Sequence, residues 1–273
     1  MYRGGRDTKR THLCRPHHLG VTRMEFHEAC ARVREGGIRP GGIGILQEKP
    51  LHATLKWWVD DNPDHHEITL PCGRVADVYD GERVTEIQTG GFSPLRPKLE
   101  VLLPQYPVTV VHPIPRRKYL TWINPETGET TPPRKSPKIG TFTHALSQLV
   151  YILPLLDHPH LTIRLVRVDV EEQRLADGWG NGGKRGSHRA VLLPLTLEDT
   201  LTLTCPADYG ALIPATLPTE FTAAQFGKES RLQGRKLTAA LKVLMDRGVL
   251  TREKAGREYV YTVVNGNTSS ITK

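Results

Sequence analysis

Three residues in the stretch VADVYDGERVTEIQTGG are of types that do chemistry together: Asp77, Glu86 and Gln88. Two short β-prone runs carry them, 74–79 and 83–89, and the Asp80-Gly81-Glu82 between them reads as a tight hairpin turn. Antiparallel pairing across such a turn brings Asp77 and Glu86 close. Glu86 and Gln88 share a face and Ile87 points the other way, so one face of the hairpin is expected to be a site and the other core. Two carboxylates on a partly buried face repel each other unless a cation lies between them. Hard oxygen ligands without sulfur or several histidines suit Mg²⁺ or Mn²⁺. Such an ion activates water and polarises a phosphoryl oxygen, so the substrate it fits is a phosphodiester. Upstream, Glu48, His52 and Lys56 repeat every four residues along one polar edge of a helix expected over 48–61, whose Leu51, Leu55 and Trp58 make the apolar stripe.

The elements that must position these residues follow in order. A helix is expected over 22–37, ended by Gly36-Gly37. After the 48–61 helix, runs at 66–70, 74–79 and 83–89 form an antiparallel three-stranded meander. Residues 93–103 read as a helix, with Ser93 as cap and Pro94 in the first turn. The apolar run 108–114 reads as a strand buried on both faces. Residues 115–138, rich in Pro, Lys, Arg and Thr, read as an excursion with a turn at 125–128. A helix over 143–156, interrupted late by Pro154, and an alternating strand over 161–170 complete the set. Residues 177–189 form a glycine-rich loop carrying Lys184, Arg185, His188 and Arg189, a candidate wrap for a nucleic-acid backbone.

Asp77 followed nine residues later by Glu86-Ile87-Gln88, on the second and third strands of an αβββαβ order, resembles the PD-(D/E)XK nuclease superfamily. The resemblance covers roughly residues 45–115. It implies an α/β (α+β) fold with a restriction-endonuclease-like αβββαβ core, and Mg²⁺-dependent (or Mn²⁺-dependent) hydrolysis of DNA phosphodiester bonds. Glu48, Asp77 and Glu86 would be the metal ligands, Glu48 matching the extra acidic ligand of resolvase-like and exonuclease-like members. Gln88, which would position the water or phosphate, stands where the family's usual motif has lysine. The missing positive charge would then come from Lys98, on the helix after the third strand, or from Lys56. The other reading is a DNA-binding regulator or scaffold with a degenerate nuclease core and no catalysis. Pairing of two chains is a further implication, since many such domains cut two strands as homodimers.

The tail has its own periodicity and resembles a winged helix. A helix from about Ala223 precedes a recognition helix over 233–247, on which Leu237, Ala240, Leu241 and Leu244 mark the apolar side. Two β-prone runs, 249–252 and 258–264, turn at Ala255-Gly256. Residues 222–264 carry nine Lys/Arg against four Asp/Glu. Arg235 and Lys236 open the recognition helix, and Lys254 and Arg257 lie at the wing tip, where phosphate contacts are expected. The expected division is an N-terminal arm and helix (1–44), a nuclease-like domain (45–200) and a winged helix (215–265).

Bulk properties agree with a polyanionic partner. The 273 residues carry a net charge of +8 and a pI near 9.4, which favours DNA, or RNA by the same chemistry. Four scattered cysteines without a CxxC pair suit a reducing cytoplasm, and no apolar run is long enough for a membrane span. Cys14-x2-His17 and His27-x2-Cys30 have zinc-like spacing, but Cys30 also fits the apolar stripe of Met24 and Phe26, and the zinc reading is set aside.

Overall fold

The Asp80-Gly81 turn has the geometry its residues favour. In the computed structural model, which describes residues 24–36, 49–176 and 188–264, Gly81 sits at φ +96°, where L side chains are strained. Asp80 Oδ1 accepts the N–H groups of Glu82 and Arg83. Around this turn the chain lays out α1 (Phe26–Glu35), α2 (Pro50–Val59), β1 (His66–Thr69), β2 (Val75–Tyr79), β3 (Val84–Ile87), α3 (Arg96–Leu102) and β4 (Val108–Ile123). β1, β2 and β3 form the antiparallel meander, and α3 carries the chain over to β4, which runs parallel to β3. β5 (Arg134–Lys135) pairs with the far end of β4, β6 (Leu161–Leu175) runs parallel to β4, and β7 (His188–Leu203) closes the edge antiparallel to β6. The product is a mixed seven-stranded sheet of order β1-β2-β3-β4-β6-β7 in an α+β chain.

Helices cover both faces. Phe26, Leu51, Leu55 and Trp58 of α1 and α2 pack on Ile87, Val111, Val166 and Val168. On the other face, Leu99 and Leu102 of α3, with Leu146 and Leu149 of α4 (Leu146–Leu149), pack on Val84, Val110, Ile163 and Leu165. Cys30 belongs to the first cluster, and burial pushes its thiol up to about 11 against the pull of Arg34. It behaves as a core residue, while Cys14 and His17 lie outside the described residues.

Two expectations are corrected, and one strand was not anticipated. β4 does not stop at residue 114 but continues to Ile123, through the segment read as an excursion. The Val111 carbonyl takes the N–H of Gln88, just past the end of β3. By alternation Pro113 and Pro115 face the same edge, beyond the end of β3, where a missing N–H leaves no ladder bond unmade. A bulge follows, and Asp169 fills it by accepting the Arg117 N–H while its carboxylate clamps the Arg116 guanidinium. The single helix expected over 143–156 is instead one α-turn, α4, between 3₁₀ segments Phe142–Ala145 and Val150–Leu155, with Ile152 at φ −113° ahead of Pro154. β7 had no counterpart in the sequence reading.

The C-terminal residues form β8 (Glu220–Thr222), α5 (Ala223–Ser230), α6 (Gly234–Asp246), β9 (Leu250–Ala255) and β10 (Glu258–Val263), with strand order β8-β10-β9. The core of this module is continuous with that of the sheet. Phe221, Phe226, Leu241, Leu244 and Tyr261 join the same apolar cluster as Leu146, Leu149 and Ile152. Arg247, at the end of α6, adds a buried clamp on the Asp157 and Asp246 carboxylates. The apolar cluster thus runs across the boundary expected near residues 200–215.

Gly140 is required by close approach. A Cβ there would lie 2.1 Å from the Pro115 carbonyl oxygen, and the Gly140 N–H donates to the Arg116 carbonyl at 2.9 Å. Gly140→Ala must displace β4 near its bulge, and urea denaturation is expected to show a loss of about 2–4 kcal/mol. A loss under about 0.5 kcal/mol would mean that the segment moves aside freely.

Candidate functional site

β2 and β3 pair at Val78–Thr85 and Tyr79–Val84 and then separate. One step along that register Asp77 stands opposite Glu86. There the ladder opens, and Asp77 Oδ2 accepts the Ile87 N–H at 2.7 Å in place of a main-chain partner. A cleft of about 690 Å³ occupies the gap. The start of α2 brings Lys49 and His52 to it, α3 brings Lys98, and residues 86–90 line it between them.

This placement corrects the expected division of the hairpin into a site face and a core face. All four β3 residues are buried, with Val84 in the α3-side cluster and Ile87 in the α2-side cluster. A sheet covered on both sides has no polar face to offer. The carboxylates instead sit where the strands part, between two helical layers.

The two carboxyl groups are electrostatically unlike. Glu86 is 3% exposed; Lys98 Nζ donates to its Oε2 at 2.5 Å, while Oε1 is buried with no hydrogen-bond partner. Burial and the neighbouring Asp77 charge raise the Glu86 pKa to about 7, overriding the pull of Lys98, whose own end stays partly in solvent. Burial also works against the Asp77 charge, but His52, with Nε2 3.4 Å from Oδ2, the Ile87 N–H and Lys98 together hold Asp77 below the usual carboxylate range. The pair therefore keeps one firm anion and one group that exchanges a proton near neutrality.

These residues fit a divalent cation. A buried carboxylate oxygen without a partner is costly, and a cation relieves it. Asp77 and Glu86 offer oxygen donors only, the chemistry of Mg²⁺ or Mn²⁺. Among the described residues no three His, Cys, Asp or Glu side chains cluster for a metal. Glu48, the third expected ligand, lies outside the described residues.

The other expected residues separate. Lys98 is in the cleft. Lys56 is not: its side chain is 6% exposed and its ammonium donates to Glu67 Oε1 at 2.8 Å, and of the two lysines only Lys98 lines the site. Gln88 lines the cleft, but its amide donates to the Gly91 carbonyl at 2.6 Å and so fastens the 88–91 turn. Its own carbonyl accepts His112 Nδ1–H at 2.6 Å; that ring is kept neutral by burial and stands edge-on to Phe92. Lys49, His52 and His112 were not assigned roles from sequence. His52 shares the Glu48 edge, and His112 is the single polar residue in VTVVHPI past Thr109, signals that became specific only in three dimensions.

Arg235 and Lys236 on α6 and Lys254 and Arg257 at the β9–β10 turn are exposed, and Arg252 lies 4.4 Å over the Tyr259 ring. Lys184 and Arg185 fall outside the described residues. Among the described residues no helix is long and apolar enough to cross a membrane.

Residues 49–204, which include the whole cleft, match a family described as a domain of unknown function (DUF8091), and the chain belongs to that family. A relative in Treponema pallidum (strain Nichols), described as an uncharacterized protein, is 36% identical over 140 residues, which is 50% of this chain and 55% of the relative. The match thus spans about half the length of that relative. No solved structure matches.

Proposed function

We propose that the protein is a metal-dependent deoxyribonuclease of the PD-(D/E)XK type, with the C-terminal module serving as a winged helix that aids DNA binding. The observation that carries the reading is the convergence of Asp77, Glu86 and Lys98 in one cleft, with a buried Glu86 oxygen lacking any partner. A bound divalent ion would supply a Lewis acid and a water of lowered pKa. Asp77 and Glu86 would hold it, joined by Glu48 if that residue reaches the cleft. The Lys98 ammonium would offset negative charge building on the phosphoryl oxygens. His52 orients the Asp77 carboxylate, while Gln88 and His112 fix the turn that forms the cleft's rim. A second reading, DNA binding without catalysis, is favoured by Gln88, whose amide is committed to Gly91.

Nicking of supercoiled plasmid in Mg²⁺ or Mn²⁺ decides between them. Wild-type protein is expected to nick and Asp77→Ala to lose at least about 100-fold, the scale of removing a principal catalytic contact. No nicking by the wild type, or equal nicking by Asp77→Ala, rejects the nuclease.

A further inference from the structure

We propose that one DNA duplex lies across both the cleft and the first turn of α6, passing over α4, so that the two modules read a single continuous substrate. This rests on reading the cleft as a phosphodiester site. The contacts lie in series. Thr89 and Gly90 line the cleft. The next two residues are held by α4: the Phe92 N–H donates to Gln148 Oε1 at 3.3 Å, and a Cβ on Gly91 would sit 3.5 Å from that same oxygen. His144 lies four residues before Gln148, about 6–8 Å along this helical stretch. It marks the approach of the C-terminal module: besides burial, the charges of Lys236 and Arg231 depress its pKa, and α4 packs against α6. α6, which opens with Arg235 and Lys236, thus packs on the same helical stretch that holds the cleft's rim.

Three cations of β4 and β6 are neutralised: Arg116 by Asp169 and Glu198, Lys118 by Glu172, Arg167 by Asp199. Arg231, Arg235 and Lys236, and Lys49 at the cleft, make no ion pair among the described residues. Unneutralised cations spaced along one path fit a repeating anion, and duplex DNA presents a charge about every 1.7 Å of axis. A duplex fits better than a single strand, because among the described residues no Phe, Tyr or Trp lines the cleft and single-strand grooves depend on aromatic stacking.

The test is fluorescence anisotropy with a labelled duplex of about 30 base pairs and the full chain, in chelator at about 0.1 M salt so that binding is read apart from cleavage. Arg231→Asn/Lys236→Gln (Asn tolerates the left-handed backbone at position 231) and Lys49→Gln are each expected to weaken binding about fivefold. Combined they should weaken it about 25-fold, with one duplex per chain and a salt slope lower by about 0.9 for each contact removed. Lys242→Gln, exposed further along α6, should stay within about twofold, and Lys236→Arg should bind as wild type does. If the α6 variant binds within twofold while Lys49→Gln is weakened, the track is rejected and the cleft reading stands; the module then faces a protein. If only the α6 variant is weakened, both fail, because the duplex does not enter the cleft. Tighter binding of a single strand of the same length rejects the duplex.

Discussion

Lys98→Met is expected to lower plasmid nicking by about 100-fold or more, and adding Gln88→Lys in that background to restore at least about a tenth of the loss. Methionine keeps most of the lysine's reach along the partly exposed side of α3 and removes only the charge. That charge lies 2.5 Å from Glu86 Oε2 and is the one lysine among Lys98 and Lys56 that reaches the cleft. Removing a single preorganised group that stabilises transition-state charge typically costs about 2.7–4 kcal/mol. The same substitution leaves Glu86 with burial and Asp77 unopposed, so residual activity should move to higher pH. Position 88 is two residues on from Glu86 in the same strand direction and already lines the cleft, so a lysine there approaches the same volume from the strand instead of the helix. Nicking by Lys98→Met within threefold of wild type would remove Lys98 from the chemistry. A double variant that melts like wild type yet stays inactive would show that positions 88 and 98 are not interchangeable sources of charge.

Glu86→Gln is expected to abolish nicking and, without metal, to make the protein more stable at pH 8 by about 1–3 kcal/mol. The sign follows from the proton. Glu86 in the folded chain titrates near 7, above its ordinary 4.5, so the native state holds a proton that the unfolded chain releases. Unfolding free energy attributable to this group is intact below pH 4.5, falls as pH rises toward 7 and then levels off, a total of about 3 kcal/mol for a side chain this buried. Glutamine has no proton to lose, so this contribution vanishes in the variant, less whatever the Lys98 contact contributes, and the slope that remains comes from groups such as His112 and His144, whose lowered pKa values make stability rise with pH. Mg²⁺ should raise the melting temperature of the wild type at pH 8 and leave Glu86→Gln unmoved, since only an ionised pair binds it. Thermal melts at pH 5 and 8, with and without Mg²⁺, check all of this. A Glu86→Gln variant less stable than wild type at pH 8 would mean that the Lys98 pair outweighs burial. Absence of any Mg²⁺ effect on the wild type would remove the metal from the site.

The parts of this site that local chemistry decides can be read from the chain. Asp80-Gly81 sets the hairpin, alternation sets the strands, and Ser93-Pro94 starts the helical stretch that carries Lys98. What is hidden comes from contacts between distant residues. Nothing near Glu86 announces that α3 will roof it; Glu-Ile-Gln looks like an exposed alternation until Leu95 and Leu99 are seen above the strand. Pro113, Pro115 and Arg116-Arg117-Lys118 resemble a loop, because the carboxylate that stabilises the bulge, Asp169, lies 52 residues further on. Lys56 shares a helix edge with His52, as its spacing says, yet Glu67, turned outward by a left-handed φ of 54°, holds its ammonium away from the cleft.

The family match stops at residue 204, but the apolar cluster does not. α6 packs on α4 and the 150–155 segment, so Leu149 and Ile152 share their apolar cluster with residues beyond that limit. Ancestry and packing therefore draw the border of this protein in different places. A family member that lacks this C-terminal module would leave that side of α4 and the 150–155 segment uncovered. The identity of residues 149 and 152 should thus travel with the presence of the module across the family, like a socket that persists only in lineages that keep its plug.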